Sequence, residues 1–174
     1  MYKIAFILVA ASLLWIHQPV QAQLTQTNIE PDATFKQAKL LYQQEQYSLA
    51  YPLFKTMYSN GIHNSNMPLQ VQTEARFYYI VCGLQLNEPN AAELASQFIE
   101  MEPDVAHEQI IAYYLGEYYY RKKEYQHALE FYGKSNIANL NNRQIAEMKF
   151  HQGYAYFVLQ QFDKAMPLFN SIRQ

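Results

Sequence analysis

The chain has 174 residues, enough for one domain or a short repeat array and too few for two ordinary domains with a linker. Half the residues are apolar and 16% are charged, with only five Gly and seven Pro, which argues against a disordered chain or a many-turned β sandwich and leans towards helix. Thirteen Lys and Arg against fifteen Asp and Glu leave a net charge of -2, so there is no basic field for a phosphate backbone and nucleic acid is not an expected partner.

The first segment reads as a secretory signal. Lys3 precedes an uncharged run from Ile4 to Ile16, followed by Pro19 and the small-x-small border Val20-Gln21-Ala22. Thirteen residues at about 1.5 Å each span only about 20 Å, short of a hydrocarbon core of about 30 Å, so a permanent transmembrane helix is the weaker reading. Residues 1-22 are therefore expected to be removed, leaving a lead of 23-30 and a mature, exported chain without an integral membrane span. Such a protein resides in the periplasm or cell envelope, and association with the outer membrane or envelope is compatible with it.

Four helix pairs are predicted after that lead. The first covers 31-45 and 48-60, opened by Pro31-Asp32 and closed by Asn60-Gly61. A polar insertion, Gly61 to Pro68, separates it from the second, at 68-86 and 90-101, which Glu102-Pro103-Asp104 ends. The third covers 106-122 and 125-136. The fourth covers 141-159 and 162-173, with Asn141 or Asn142 as its cap.

The pairs repeat. Gly116-x-x-Tyr119 with Tyr125-x-x-Ala128-Leu129-x-x-Tyr132 recurs thirty-seven residues later as Gly153-x-x-Tyr156 with Phe162-x-x-Ala165-Met166-x-x-Phe169. Ala38-x-x-Leu41 with Tyr47-x-x-Ala50-Tyr51-x-x-Phe54 is a third copy. Ala92 anchors a degenerate one, with Pro89 and Ser96 where the others carry aromatics. Pro52 and Pro167 fall at matching places in two second helices, each expected to forfeit about one backbone bond without breaking its helix.

This pattern resembles the tetratricopeptide repeat, over about residues 31-174. The resemblance implies an all-α fold, a right-handed superhelix of about four antiparallel helix pairs. It departs from the family at the early Trp, replaced by Thr34, Arg76, Ala112 and Lys149, and in spacings of 42, 36 and 37 residues. The chain also resembles the N-terminal part of longer exported repeat proteins of bacteria of the Bacteroidota type. With Phe169 and Ile172 left to cover near Gln174, the array is expected to continue or to be capped by another subunit.

No catalytic signature stands out. His63, His107, His127 and His151 lack His-Glu-x-x-His spacing, and there is no Gly-rich loop, nucleophile elbow or paired-Cys motif, so no cofactor or metal is expected. Cys82 lies in an apolar helix and reads as a small core residue. Arg121-Lys122-Lys123 reads as a basic helix end.

The resemblance implies that the first helix of each pair lines a concave groove. With the small residue as the eighth position, the fifth, ninth and twelfth point inwards: Phe35, Lys39, Tyr42; Phe77, Val81, Leu84; Tyr113, Glu117, Tyr120; Phe150, Tyr154, Phe157. The fifth-position aromatics either pack pairs together or face the groove. Tyr42, Tyr120, Tyr154 and Phe157 are expected to be exposed anchors, with Glu117, Arg121 and Lys39 adding orientation. The expected function is a non-catalytic scaffold that binds a protein or peptide segment in this groove. The alternative is an exported component that stacks glycan or peptidoglycan on the same rings, for which a polar cleft with two carboxylates facing a Tyr platform would speak.

Overall fold

The computed structural model describes residues 31–63, 67–101 and 104–173. The expected signal (1-22), the lead (23-30), the middle of the polar insertion, Glu102-Pro103 and Gln174 lie outside the described residues. Among the described residues the chain is all-α, without a strand. The helices are α1 (Pro31–Gln43), α2 (Tyr47–His63), α3 (Leu69–Leu86), α4 (Ala91–Met101), α5 (Val105–Arg121), α6 (Tyr125–Lys134), α7 (Asn142–Val158) and α8 (Phe162–Ile172), with a 3-10 turn at Ile137–Asn139 between α6 and α7. No helix among the described residues is long and apolar enough to cross a membrane.

One turn geometry recurs four times. Glu45, Asn87, Lys123 and Gln160 have φ of 57°, 58°, 63° and 59°, in the left-handed region, spaced 42, 36 and 37 residues apart. The amide after each reaches back to a carbonyl five residues earlier: Gln46 to Leu41, Glu88 to Gly83, Glu124 to Tyr119 and Gln161 to Tyr156, each at 2.9 Å. That bond satisfies a carbonyl the helix end would otherwise orphan. The first helix of every pair is thus stopped by the same local device, here without glycine.

Each helix packs on its neighbour in sequence, and α1 on α3, α3 on α5 and α5 on α7. The small residues explain the close approach within pairs. A Cβ on Gly116 would lie 2.5 Å from Tyr132 Cδ1, and one on Gly153 2.8 Å from Phe169 Cε1. Ala38, Ala50, Ala128 and Ala165 are buried, and Phe54 and Phe98 are fully buried between the helices they join.

Three local expectations are corrected. α2 does not stop at Asn60-Gly61 but continues to His63, since an interior glycine costs a helix only about 1 kcal/mol. α6 ends at Lys134 rather than 136, where Ser135 turns extended. In the second pair Ala92 is only half-buried, and the buried stripe of α4 is Ala91, Ala95 and Phe98. Its connection, residues 87-90, is one residue longer than the others and starts α4 on a different phase. Asn141, one of the two expected caps, closes a capping box with Gln144.

Candidate functional site

The twelve first-helix positions divide by their place in the array. Phe77, Val81, Leu84, Tyr113 and Glu117, expected to face a groove, are buried. Phe35, Lys39, Tyr42 and Tyr120 are half-buried, whereas Phe150, Tyr154 and Phe157 are 48%, 40% and 53% exposed. The physical reason is packing between pairs. The sixth position of each following first helix, Tyr78, Tyr114 or His151, packs against residues at these positions of the helix before it.

At the first junction Tyr78 meets Phe35 (ring centroids 6.2 Å) and Tyr42 (4.7 Å), with Lys39 Nζ 5.5 Å from its ring centre. Lys39 also reaches Glu74 at 3.4 Å. At the second, Tyr114 shares a buried cluster with Phe77, Val81 and Leu84. At the third, His151 stacks on Tyr120 at 3.9 Å and its Nδ1 lies 2.9 Å from Glu117 Oε1. The Tyr132 hydroxyl donates to the same oxygen at 2.7 Å. A carboxylate only accepts, so the imidazole proton sits on Nδ1. Burial first, and then the Glu117 charge, hold the Tyr132 phenol well above the ordinary tyrosine range. Glu117 and Tyr120 are therefore occupied within the chain at a junction, which the sequence reading had placed at a binding surface. Arg121 is occupied too: its Nη2 donates to the Leu84 carbonyl at 2.7 Å and Nη1 to Gln85 Oε1 at 3.3 Å, capping the end of α3.

An open cleft of about 420 Å³ lies on the side of the molecule where the first helices meet. Tyr42, Tyr47, Phe77, Tyr78, Tyr113 and Tyr114 contribute rings, and Gln43, Gln85, Asn139, Asn141 and Gln144 contribute amides. Arg143 spans the mouth. Its Nη1 donates to Glu45 Oε1 and its Nε to Glu147 Oε1, both at 3.0 Å, so the turn of the first pair is tied to the start of the fourth. Deeper, Gln144 Nε2 donates to the Tyr114 hydroxyl at 3.1 Å, and that hydroxyl meets Tyr42 at 3.1 Å. Burial holds Tyr42, Tyr113 and Tyr114 above the ordinary tyrosine range and pushes Tyr47 up to about 12, so these four are neutral phenols at neutral pH. With two carboxylates sharing one guanidinium, the cleft offers aromatic faces and hydrogen-bonding amides in place of a strong field.

Of the residues read from sequence, Tyr42, Phe77 and Tyr113 line this cleft, and Phe35, Lys39, Leu84, Glu117, Tyr120, Arg121, Phe150, Tyr154 and Phe157 do not. Sequence reasoning missed Tyr47, Tyr78, Tyr114 and the Glu45-Arg143-Glu147 clasp. In the last two pairs the second position of the first helix, Ile110 and Glu147, faces the cleft, whereas its counterpart Glu74 in the second pair is paired with Lys39 instead. The clasp joins residues 98 apart and leaves no local trace.

Elsewhere the chemistry is quiet. Cys82 is buried, and burial pushes its thiol up to about 12, which keeps it protonated. Among the described residues no three His, Cys, Asp or Glu side chains cluster as a metal site would require. No protein-family model, curated protein or solved structure matches the chain.

Proposed function

We propose that the chain is an exported, non-catalytic interaction scaffold of the tetratricopeptide-repeat kind, working in the periplasm or cell envelope and holding an extended segment of a partner protein in the inner cleft. The observation that carries this reading is the cleft itself. Tyrosines along its walls supply large contact area at low entropic cost, and the amides beside them can pair with the backbone of an extended chain. The recurring turn and the spacing of the pairs support a superhelical array, whose concave side such a cleft would occupy. Gln43 is exposed at the cleft, so Gln43→Trp should block it without disturbing the core. Capture of the mature protein from its native envelope tests the reading: a partner retained by wild type and lost with Gln43→Trp supports it, and equal retention refutes it.

A second reading, a glycan- or peptidoglycan-associated component, draws on one observation. Glu45 and Glu147 stand beside a platform of tyrosines with an amide rim, groups that suit stacked, hydroxyl-rich rings. Titration with soluble peptidoglycan fragments separates the two. Saturable binding abolished by Gln43→Trp selects the glycan, and its absence leaves the protein segment.

A further inference from the structure

The charged side chains that line the inner cleft are Glu45, Glu147 and Arg143, two carboxylates against one guanidinium, so the lining carries one negative charge in excess. Arg143 is already shared between them, giving Nη1 to Glu45 Oε1 and Nε to Glu147 Oε1. Each contact uses one oxygen of a carboxylate that has about four accepting sites, so both keep capacity for a further donor. Their field reaches the rings. Burial first, and then neighbouring groups that include Glu45, raise the Tyr47 phenol, and burial first, then the charges of Glu117 and Glu147, raise that of Tyr113. Tyr42, Tyr47 and Tyr78 are half-buried at the cleft, which leaves part of each ring open to an occupant, whereas Phe77, Tyr113 and Tyr114 are buried behind them. Lys39 shows beside the cleft how such a ring and a carboxylate hold a cation together: its Nζ lies 5.5 Å from the centre of the Tyr78 ring and 3.4 Å from Glu74 Oε2.

We propose that the cleft takes an arginine side chain of the partner segment as its anchor, with the guanidinium seated against the open tyrosine rings and paired with the carboxylates of Glu45 and Glu147. This rests on the reading of the cleft as the site of a protein segment, and it adds the chemistry of the residue that enters. An aromatic face attracts a cation through its quadrupole, and a carboxylate accepts a guanidinium through a planar fork; arginine meets both demands with one group. Lysine would supply the charge without the fork or the stacking. Charge decides against an acidic segment, which would meet two carboxylates and find the guanidinium at the mouth already donating to both. With an incoming arginine the mouth holds two groups of each sign, Glu45 and Glu147 alternating with Arg143 and its visitor. The cleft, at about 420 Å³, falls within the range of sites that enclose a ligand group of this kind.

The test titrates the isotope-labelled chain by NMR with three short peptides that share an uncharged Gly, Ser, Asn and Ala frame and differ at the centre: arginine, its neutral isostere citrulline, or glutamate. The arginine peptide should shift the amide signals of Gln43 and Gln144 saturably, about tenfold more tightly than the citrulline peptide, and Gln43→Trp should abolish the shifts. Two variants move the affinity in opposite directions. Glu45→Gln with Glu147→Gln should weaken the arginine peptide about tenfold, whereas Arg143→Gln, which frees both carboxylates, should tighten it about threefold. A clasp that only shapes the cleft would shift both the same way, which would overturn the proposal. The melting temperature should stay unchanged in both, because these ion pairs are exposed and contribute little to stability. Equal affinity for the arginine and citrulline peptides overturns the proposal. Tighter binding of the glutamate peptide, weakened by Arg143→Gln, overturns it in favour of an acidic segment and leaves the cleft reading in place. Failure of all three peptides also overturns it, while capture from the envelope with Gln43→Trp decides the underlying reading separately.

Discussion

Gly116 and Tyr132 are in contact across the third helix pair so closely that a single added carbon would overlap the ring, at 2.5 Å from Cδ1. Gly153 and Phe169 repeat the relationship one pair later, at the same separation of sixteen residues, with 2.8 Å to Cε1. Ala38 and Phe54 hold the corresponding places in the first pair, both fully buried. The glycines are thus selected by space: both lie in ordinary helical backbone.

Gly116→Leu and Gly153→Leu are therefore expected to destabilise the fold by about 1-3 kcal/mol or more, the usual cost of overpacking. Gly133 serves as the control, since a Cβ there meets nothing within 4 Å, and Gly133→Ala should be neutral or slightly stabilising. Thermal melts of the three variants check this. Equal midpoints would contradict the packing described.

How much of this was legible in the sequence follows from what kind of contact each feature is. The helix pairs, the eighth-position glycines and the Asn141 cap are local or strictly periodic, and periodicity carries them. Gln144, which closes that capping box, also reaches Tyr114, a contact thirty residues away that no local pattern marks. Tyr120 read as an anchor because Glu117 and Arg121 flank it. Those two side chains are spent on His151 and on the end of α3, and the ring is covered by His151. An inward-facing position and a junction position have the same period, and only the neighbouring pair distinguishes them.

The left-handed turns give a second prediction. A non-glycine residue at positive φ costs roughly 1-2 kcal/mol relative to glycine, partly offset by the freedom glycine gains in the unfolded chain. Lys123→Gly and Gln160→Gly should each stabilise the fold by about 0.5-1 kcal/mol. Denaturant midpoints at constant slope would measure it, and a loss of stability would show that those side chains contribute more than their strain costs.

The junction of the third and fourth pairs gives a third. Glu117 accepts from Tyr132 and His151 with its carboxylate largely buried, so Glu117→Leu strands two donors and should cost about 2-4 kcal/mol. Tyr132→Phe removes one donor and should cost about 1-2 kcal/mol. A smaller loss for Glu117→Leu than for Tyr132→Phe would mean that the carboxylate is not the centre of the network.

Alkaline pH should unfold the chain cooperatively. Burial raises the phenols of Tyr42, Tyr113 and Tyr132, and it raises the Cys82 thiol. A raised value means the folded state keeps its protons longer, so this stability is complete below the unfolded-state values of about 8.5 for Cys and about 10 for Tyr and falls as pH rises beyond them. Melting temperatures from pH 7 to 11 should hold and then drop, with phenolate absorbance of these rings appearing together with the loss of helix. Phenolate appearing in a fully helical chain for every tyrosine would contradict the burial.

The central claim is that the inner cleft, bounded by Tyr42, Tyr47 and the Arg143 clasp, is where this protein meets its partner. The most direct measurement places a photocrosslinking amino acid at Gln43, beside the cleft, and at Gln97, exposed on α4, in the native cell. The account predicts a discrete covalent adduct with a single envelope protein from position 43 and none from position 97. Adducts from position 97 alone, or the same adducts from both, would contradict it.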